Sequence, residues 1–363
     1  MLTLATVAGL LAVPTGCSVR ADEAAKKLIE FGWDEPDTGF MRQHAAEMEA
    51  TPFDGCVFHI NYTKPDGQVA NFCWECWGSK AFTYAELRHA VDDLRAAGFR
   101  RMTHHFVRFN VCPGDVNWFD DQAFAAVVNN AALTARIARE AGLPGVLLDI
   151  EQYNTQLWDY GQQPQKETRP WGEYAAQVRV RGAQVMEAFQ SAYPDLVIFT
   201  SFGYCLPWYQ TGGERPLAEA NYGLLAPFYD GMLEAWNGRS RLVDGHEASY
   251  PYRRYTQFRE AYAVMSDKAL AVCARPDVYR EAFSFGFGIW MDMDWRNRGW
   301  DTTDLSRNYF SPEAFGRSLR YALRLSDEYV WVYTETPRWW SAEGTPKDLP
   351  EAYWRSVAGA APR

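Results

Sequence analysis

The chain has 363 residues, 47% of them hydrophobic and 15% aromatic, which is ample for a large core. Acidic residues outnumber basic ones 46 to 36, for a formal net charge of -10. Without a basic cluster, that balance excludes phosphate-rich nucleic acid and anionic membrane surfaces as natural partners and favours a neutral ligand. The counts of 15 Trp and 20 Tyr suggest that some rings line a groove where flat ligands stack.

Residues 1–25 read as an export segment. An apolar run from Leu2 to Val13 has the length of a signal h-region and is too short to span a bilayer. The ending Thr15-Gly16-Cys17 resembles a bacterial lipoprotein cleavage box, which implies lipidation of Cys17 and a membrane tether; Pro14 and the lack of a preceding Lys or Arg depart from that pattern. The expected location is therefore the periplasm, the outer membrane or the exterior. In 73-CWEC-76 a local disulfide or plain loop thiols are expected rather than a metal half-site, because no second pair completes it.

From residue 26 to 363 one rhythm recurs: a short apolar run, a polar loop, then an amphipathic helix. The run 27-KLIEFGW-33 precedes a helix over 39–50. The run 55-GCVFHINY-62 precedes a helix over 83–98, with a Thr83/Glu86 capping box and a terminal Gly98. Next come 102–111 with a helix over 120–142, 145-GVLLDIEQYN-154 with 172–193, and 196–205 with 223–236. The last three are 241-RLVDGHEASY-250 with 255–270, 285–295 with 311–326, and 329–336 with 348–359. Eight such pairs predict an α/β fold, a single-domain (β/α)8 TIM barrel. The open doubly wound alternative lacks its Gly-rich first turn, since 32-GWDEPDTG-39 is no phosphate loop.

In such a barrel the active site gathers at the C-terminal ends of the strands. Side chains alternate along the fourth run, so Leu147, Asp149 and Glu151 share one face. Two carboxylates at the end of a buried strand point to acid–base chemistry; the plainer reading pairs one of them with Arg108. Glu151, further towards solvent, is expected as the acid. Asp149 is expected as the nucleophile or as the charge that raises its neighbour's pKa. Glu247 is the expected partner across the barrel, with Asp244 and Asp292 next. Expected ligand contacts are His59, Arg108, Asn110, Tyr153, Tyr204, Tyr250, Trp290, Asp294, Trp295 and Glu335. Trp33, Tyr62, Trp339 and Trp340 are further rim aromatics. Asp34 and Glu35, just before Pro36, read more simply as helix-start residues.

Acids and rings converging on one rim are what sugar cleavage requires. On these residues the chain resembles a bacterial TIM-barrel glycoside hydrolase. The segment 149-DIE-151 is similar to the end of the D-x-x-D-x-D-x-E strand-four motif of chitinase-like hydrolases. There the final Glu is the general acid and the preceding Asp orients the substrate's acetamido group. Here Pro144 and Leu147 occupy the earlier acidic positions. The resemblance implies a carbohydrate substrate and no cofactor or metal. Two rivals stand beside it. One is a non-catalytic carbohydrate-binding barrel whose acids are neutralised by Arg. The other is a metal-dependent hydrolase drawing on His59, His104, His105 and His246 with Asp149 and Asp292.

Overall fold

The computed structural model describes residues 26–294 and 297–361. Cys17 and the export segment, like Trp295, lie outside the described residues. No helix among the described residues is long and apolar enough to cross a membrane.

Eight short strands carry the architecture: β1 (Lys27–Gly32), β2 (Gly55–Phe58), β3 (Phe106–Asn110), β4 (Gly145–Asp149), β5 (Val197–Thr200), β6 (Arg241–Asp244), β7 and β8 (Tyr329–Thr334). β7 runs in two segments, Phe283–Phe285 and Phe287–Trp290, broken at Gly286. The first segment pairs with β6 and the second with β8. β8 in turn pairs with β1, from Lys27↔Tyr329 to Gly32↔Thr334. Every pairing in this sheet is parallel, and the circuit closes into a (β/α)8 barrel.

The eight expected helices form, though several split or shorten. The first divides into Thr38–Gln43 and Ala45–Glu49, and the second into Tyr84–Leu87 and His89–Ala97. The second keeps its Thr83/Glu86 capping box and ends on left-handed Gly98, φ 64°. Asp121–Glu140 and Trp171–Ala192 are the longest. Two short helices were not anticipated, Cys205–Thr211 and Pro276–Ala282, because each sits inside a segment whose apolar residues read as strand or connector. An antiparallel hairpin, Asn61–Thr63 with Val69–Asn71, is inserted after β2.

Two hydrophobic layers result. The outer one lies between strands and helices. The inner one fills the bore with Ile29, Phe31, Val57, Phe106, Leu147, Val197, Phe199, Val243, Tyr329 and Trp331. Five of these are large rings in contact: Phe106 lies 5.5 Å from Phe199 and 5.4 Å from Tyr329, and Phe31 lies 5.6 Å from Trp331. Gly288 makes room for Trp331, whose ring would meet a Cβ there at 2.5 Å, and the indole N–H donates to the Gly245 carbonyl at 2.8 Å. Each buried ring contributes on the order of 2–3 kcal/mol. This plug closes the bore and leaves an open mouth above it.

Candidate active site

The inner layer fixes the phase of each strand. Leu147 faces the bore, so alternation turns Asp149 and Glu151 inward as expected. Val243 does the same for β6 and places Gly245 on the inner side, and the turn after left-handed His246 brings Glu247 there too. Phe106 gives Arg108 and Asn110 the same sense on β3.

Above the plug lies a cavity of about 630 Å³. Four carboxylates line it, Glu35, Glu151, Glu247 and Glu335, together with His59 and Arg108. Its rings are Phe31, Trp33, Trp74, Tyr153, Tyr250, Trp290 and Tyr333. Trp33, Trp74 and Tyr153 are exposed at 66%, 38% and 50%, so each presents ring surface to a ligand in the cavity. Trp74 and Tyr153 lie 5.4 Å apart, and Tyr250 stacks on Tyr333 at 5.3 Å.

The carboxylates fall into two groups. On one side Arg108 Nε and Nη2 donate to Asp149 Oδ2 at 2.9 and 2.5 Å, and Nη1 donates to Glu35 at 2.8 Å. His59 Nδ1 sits 3.2 Å from the other Glu35 oxygen. Burial alone would raise the Glu35 carboxyl, but Arg108 and then His59 hold it below its usual range. Asp149 is 1% exposed and sits beneath the cavity. It does not line the cavity, and its charge raises the neighbouring Glu151.

On the other side Glu151 and Glu247 have no cation bonded to them among the described residues. Burial, then the Asp149 charge, lifts Glu151 from 4.5 to about 7, against the opposing pull of the Tyr153 hydroxyl and Arg108. Tyr153 donates a short hydrogen bond to Glu151. Burial, then Glu151 and Asp149, raises Glu247 well above its usual range. One Glu247 oxygen, Oε2, is buried without a hydrogen-bond partner. These two carboxyls repel each other across the mouth, so their protons leave in two linked steps.

The other expected residues lie elsewhere. Asp244 is on the opposite phase from Val243 and faces outward, fully buried behind β6, where the Cys205 thiol donates to it at 3.0 Å. Asp292 is occupied by three donors, Trp290 Nε1 at 2.9 Å and the backbone N–H groups of Glu335 and Thr336 at 3.1 and 2.8 Å. It ties the end of β7 to the chain after β8 and does not line the cavity. Asp294 accepts from the backbone of Arg298 and Gly299 in a separate surface hollow. Tyr204 is buried outside the barrel against Asp230, 2.9 Å away. Asn110 is fully buried opposite Asp149 in the register, below the cavity. Tyr62, Trp339 and Trp340 are buried packing residues. His59, Arg108, Tyr153, Tyr250, Trp290 and Glu335 do line the mouth.

Sequence reasoning assigned Glu35 to a helix start, yet the cap is Asp37, whose side chain accepts from Phe40 N–H. Glu35 turns into the mouth instead. Trp74 and Tyr333 were also missed. The signal for Trp74 was an indole in a polar insert, where no core requires one. The histidines of the metal-hydrolase reading are dispersed: His104 bonds Tyr329, His105 bonds Cys56, and His59 pairs with Glu35. All six described cysteines are unpaired, including Cys73 and Cys76.

No family model matches the sequence, and no curated protein matches it. Solved structures of similar shape include a hyperthermophilic endocellulase from the archaeon Pyrococcus horikoshii, 9% identical, covering 93% of this chain and 92% of that one with a TM-score of 0.46. A psychrophilic family 10 endo-β-1,4-xylanase is 11% identical, with 92% and 96% coverage and a TM-score of 0.47. A broad-specificity endoglucanase from an uncultured bacterium is 11% identical, with 88% and 84% coverage and the same score of 0.47. The barrel itself rests on the strand register described above.

Proposed function

We propose that the protein is an exported glycoside hydrolase that cleaves a neutral oligo- or polysaccharide at the barrel mouth. The observation that carries this reading is the pair Glu151 and Glu247, two carboxyls facing one cavity with no cation bonded to either among the described residues. A purely structural or ligand-holding mouth would have its acids neutralised, as Arg108 neutralises Asp149 and Glu35. Sugar cleavage needs one carboxyl protonated and one ionised, and a repelling pair holding a single proton supplies both.

The surroundings divide the roles. The Tyr153 hydroxyl donates to Glu151 and favours its anion, the form that attacks the anomeric carbon or activates water. Burial and the neighbouring charges raise Glu247, which makes it the proposed proton carrier, and its unpartnered Oε2 is free to give the proton to the leaving oxygen. This reverses the order expected from strand position alone, in which Glu151 was the acid. Asp149, held by Arg108, raises Glu151 through its charge and accepts the Glu151 backbone N–H at 3.1 Å. Trp33, Trp74 and Tyr153 offer exposed rings for the sugar faces. The export segment and lipidation at Cys17 belong to the same proposal and match a polymer substrate met outside the cytoplasm.

The test is a panel of plant, algal and bacterial polysaccharides and aryl glycosides, with wild type beside Glu151→Gln and Glu247→Gln. Cleavage by wild type that both folded variants lose supports the reading. Cleavage that survives both substitutions moves the chemistry elsewhere. Retained sugar binding without any cleavage by wild type establishes a binding barrel.

A further inference from the structure

Behind β6, facing away from the mouth, a second polar cluster is buried. Cys205 opens the helix Cys205–Thr211 after β5, Asp244 ends β6, and His246 follows two residues later. All three are buried, with Asp244 and His246 at 0% exposure, and ligand-capable atoms of the three lie within 4.8 Å of one another. Neither ring nitrogen of His246 has a hydrogen-bond partner. An imidazole sealed from water with both nitrogens unmatched is destabilising unless something binds it. His246 also adopts a left-handed backbone, φ 43°, which a non-glycine residue takes up only at a cost.

Asp244 has the converse deficit. Its carboxylate accepts from the Cys205 thiol at 3.0 Å and the His246 backbone N–H at 3.0 Å, but no Lys or Arg bridges to it among the described residues. The chain backbone crowds the same carboxylate: a Cβ on Gly203 would sit 2.7 Å from Oδ2. A buried anion without a cation stands beside an imidazole without a partner and a thiol able to lose its proton.

We infer that Cys205, Asp244 and His246 are the protein ligands of a divalent transition-metal site, most suited to Zn²⁺. Thiolate, imidazole and carboxylate are the three ligand types zinc takes, and a thiolate with an imidazole discriminates against Mg²⁺ and Ca²⁺. The charges balance: two positive charges on the ion meet one thiolate and one carboxylate, and the Cys205 proton leaves to solvent on binding. Ligand atoms within 4.8 Å of one another reach tetrahedral spacing with small side-chain rotations. A fourth position remains for water or a phenol. The rings of Tyr209 and Tyr252 lie 5.8 and 6.1 Å from the imidazole, and Tyr209, 39% exposed, marks the route from solvent.

The site is a clamp rather than part of the mouth. It joins the helix after β5 to the turn that follows β6, and that turn carries Glu247 into the cavity on its opposite side. It does not depend on the proposed hydrolase activity.

The test uses the purified full chain, freed of metal by dialysis against a chelator and titrated with Zn²⁺ in competition with a chromophoric chelator. Co²⁺ is added to a parallel sample as a spectroscopic probe. A single equivalent of Zn²⁺, a rise in Tm on adding it, and a thiolate-to-cobalt charge-transfer band support the site. Cys205→Ser should abolish that band and weaken Zn²⁺ binding by more than about 100-fold, beyond the loss of an outer-shell partner. Cys273→Ser, which removes a thiol outside the cluster, should change neither. If Cys205→Ser fails to fold, the charge-transfer band in wild type decides the matter. No bound metal, no band and a Tm indifferent to Zn²⁺ would overturn the inference and leave a thiol–carboxylate hydrogen bond.

Discussion

The two sides of the barrel mouth solve the same problem in opposite ways. On the β3 side, buried carboxylates face a cation: Arg108 holds Asp149 and Glu35, and His59 adds to it. On the side of β4 and β6, Glu151 and Glu247 share the cavity with no cation bonded to either among the described residues, and burial and neighbouring charge drive both towards their protonated forms. The first arrangement pairs its buried charges, and the second leaves two carboxyls unpaired at a cost in stability. The difference separates residues that hold the site from residues that would act in it, which proximity alone would not do.

The sharpest way to break the comparison is to remove the proton from the reactive side. Glu247→Gln should lower turnover of an unactivated polysaccharide by about 10²–10⁴-fold, the usual contribution of a positioned acid. Aryl glycosides with good leaving groups should lose less, because they depart without protonation, whereas Glu151→Gln should lose both. Steady-state kinetics on the two substrate types checks this. Next in size, Arg108→Met should cost about 3–5 kcal/mol of stability in urea melts, since it strands Asp149 and Glu35 as unpaired buried charges. A cost under about 1 kcal/mol would show that the pair is no better than a surface contact.

The two sides should also respond to pH with opposite signs. Glu151 has its folded pKa raised, so its contribution is present in full below about 4.5 and is lost as pH rises through about 7. Glu151→Gln should therefore gain on wild type by about 3 kcal/mol between acid and neutral pH. Glu35 has its folded pKa lowered, so its contribution is present above the usual carboxylate range and is lost as pH falls through the lowered value. Glu35→Gln should lose most against wild type near neutrality, and that deficit should shrink in acid. Urea midpoints across pH separate the two. Smallest of all, Trp74→Ala should raise KM for a polymer by about 1 kcal/mol equivalent and leave kcat nearly unchanged, as expected for one stacking ring.

The barrel was legible because eight apolar runs alternate with amphipathic segments, and the phase of β4 followed from Leu147, Asp149 and Glu151 lying two residues apart. The phase of β6 was not legible. Leu242 and Val243 are both apolar, so alternation fitted either face; only the packing of Val243 in the bore sends Asp244 outward and Glu247 in. Glu35 was hidden by Pro36, which made helix-start chemistry the simpler local reading, while Asp37 takes that role. Asp292 has the right position in sequence but its carboxylate is taken up by backbone donors from the chain after β8, a contact between distant segments that no local pattern encodes.

The most direct test of the central claim is a carbon-13 NMR titration of the glutamate side-chain carboxyls, with Glu151→Gln and Glu247→Gln for assignment. The account predicts one carboxyl with a midpoint near 7 that vanishes in Glu151→Gln, and a second from Glu247, raised above the ordinary carboxylate range, that moves down when Glu151 is made neutral. If both titrate close to the ordinary 4.5, the mouth carries no shared proton and the acid–base reading of this pair is contradicted.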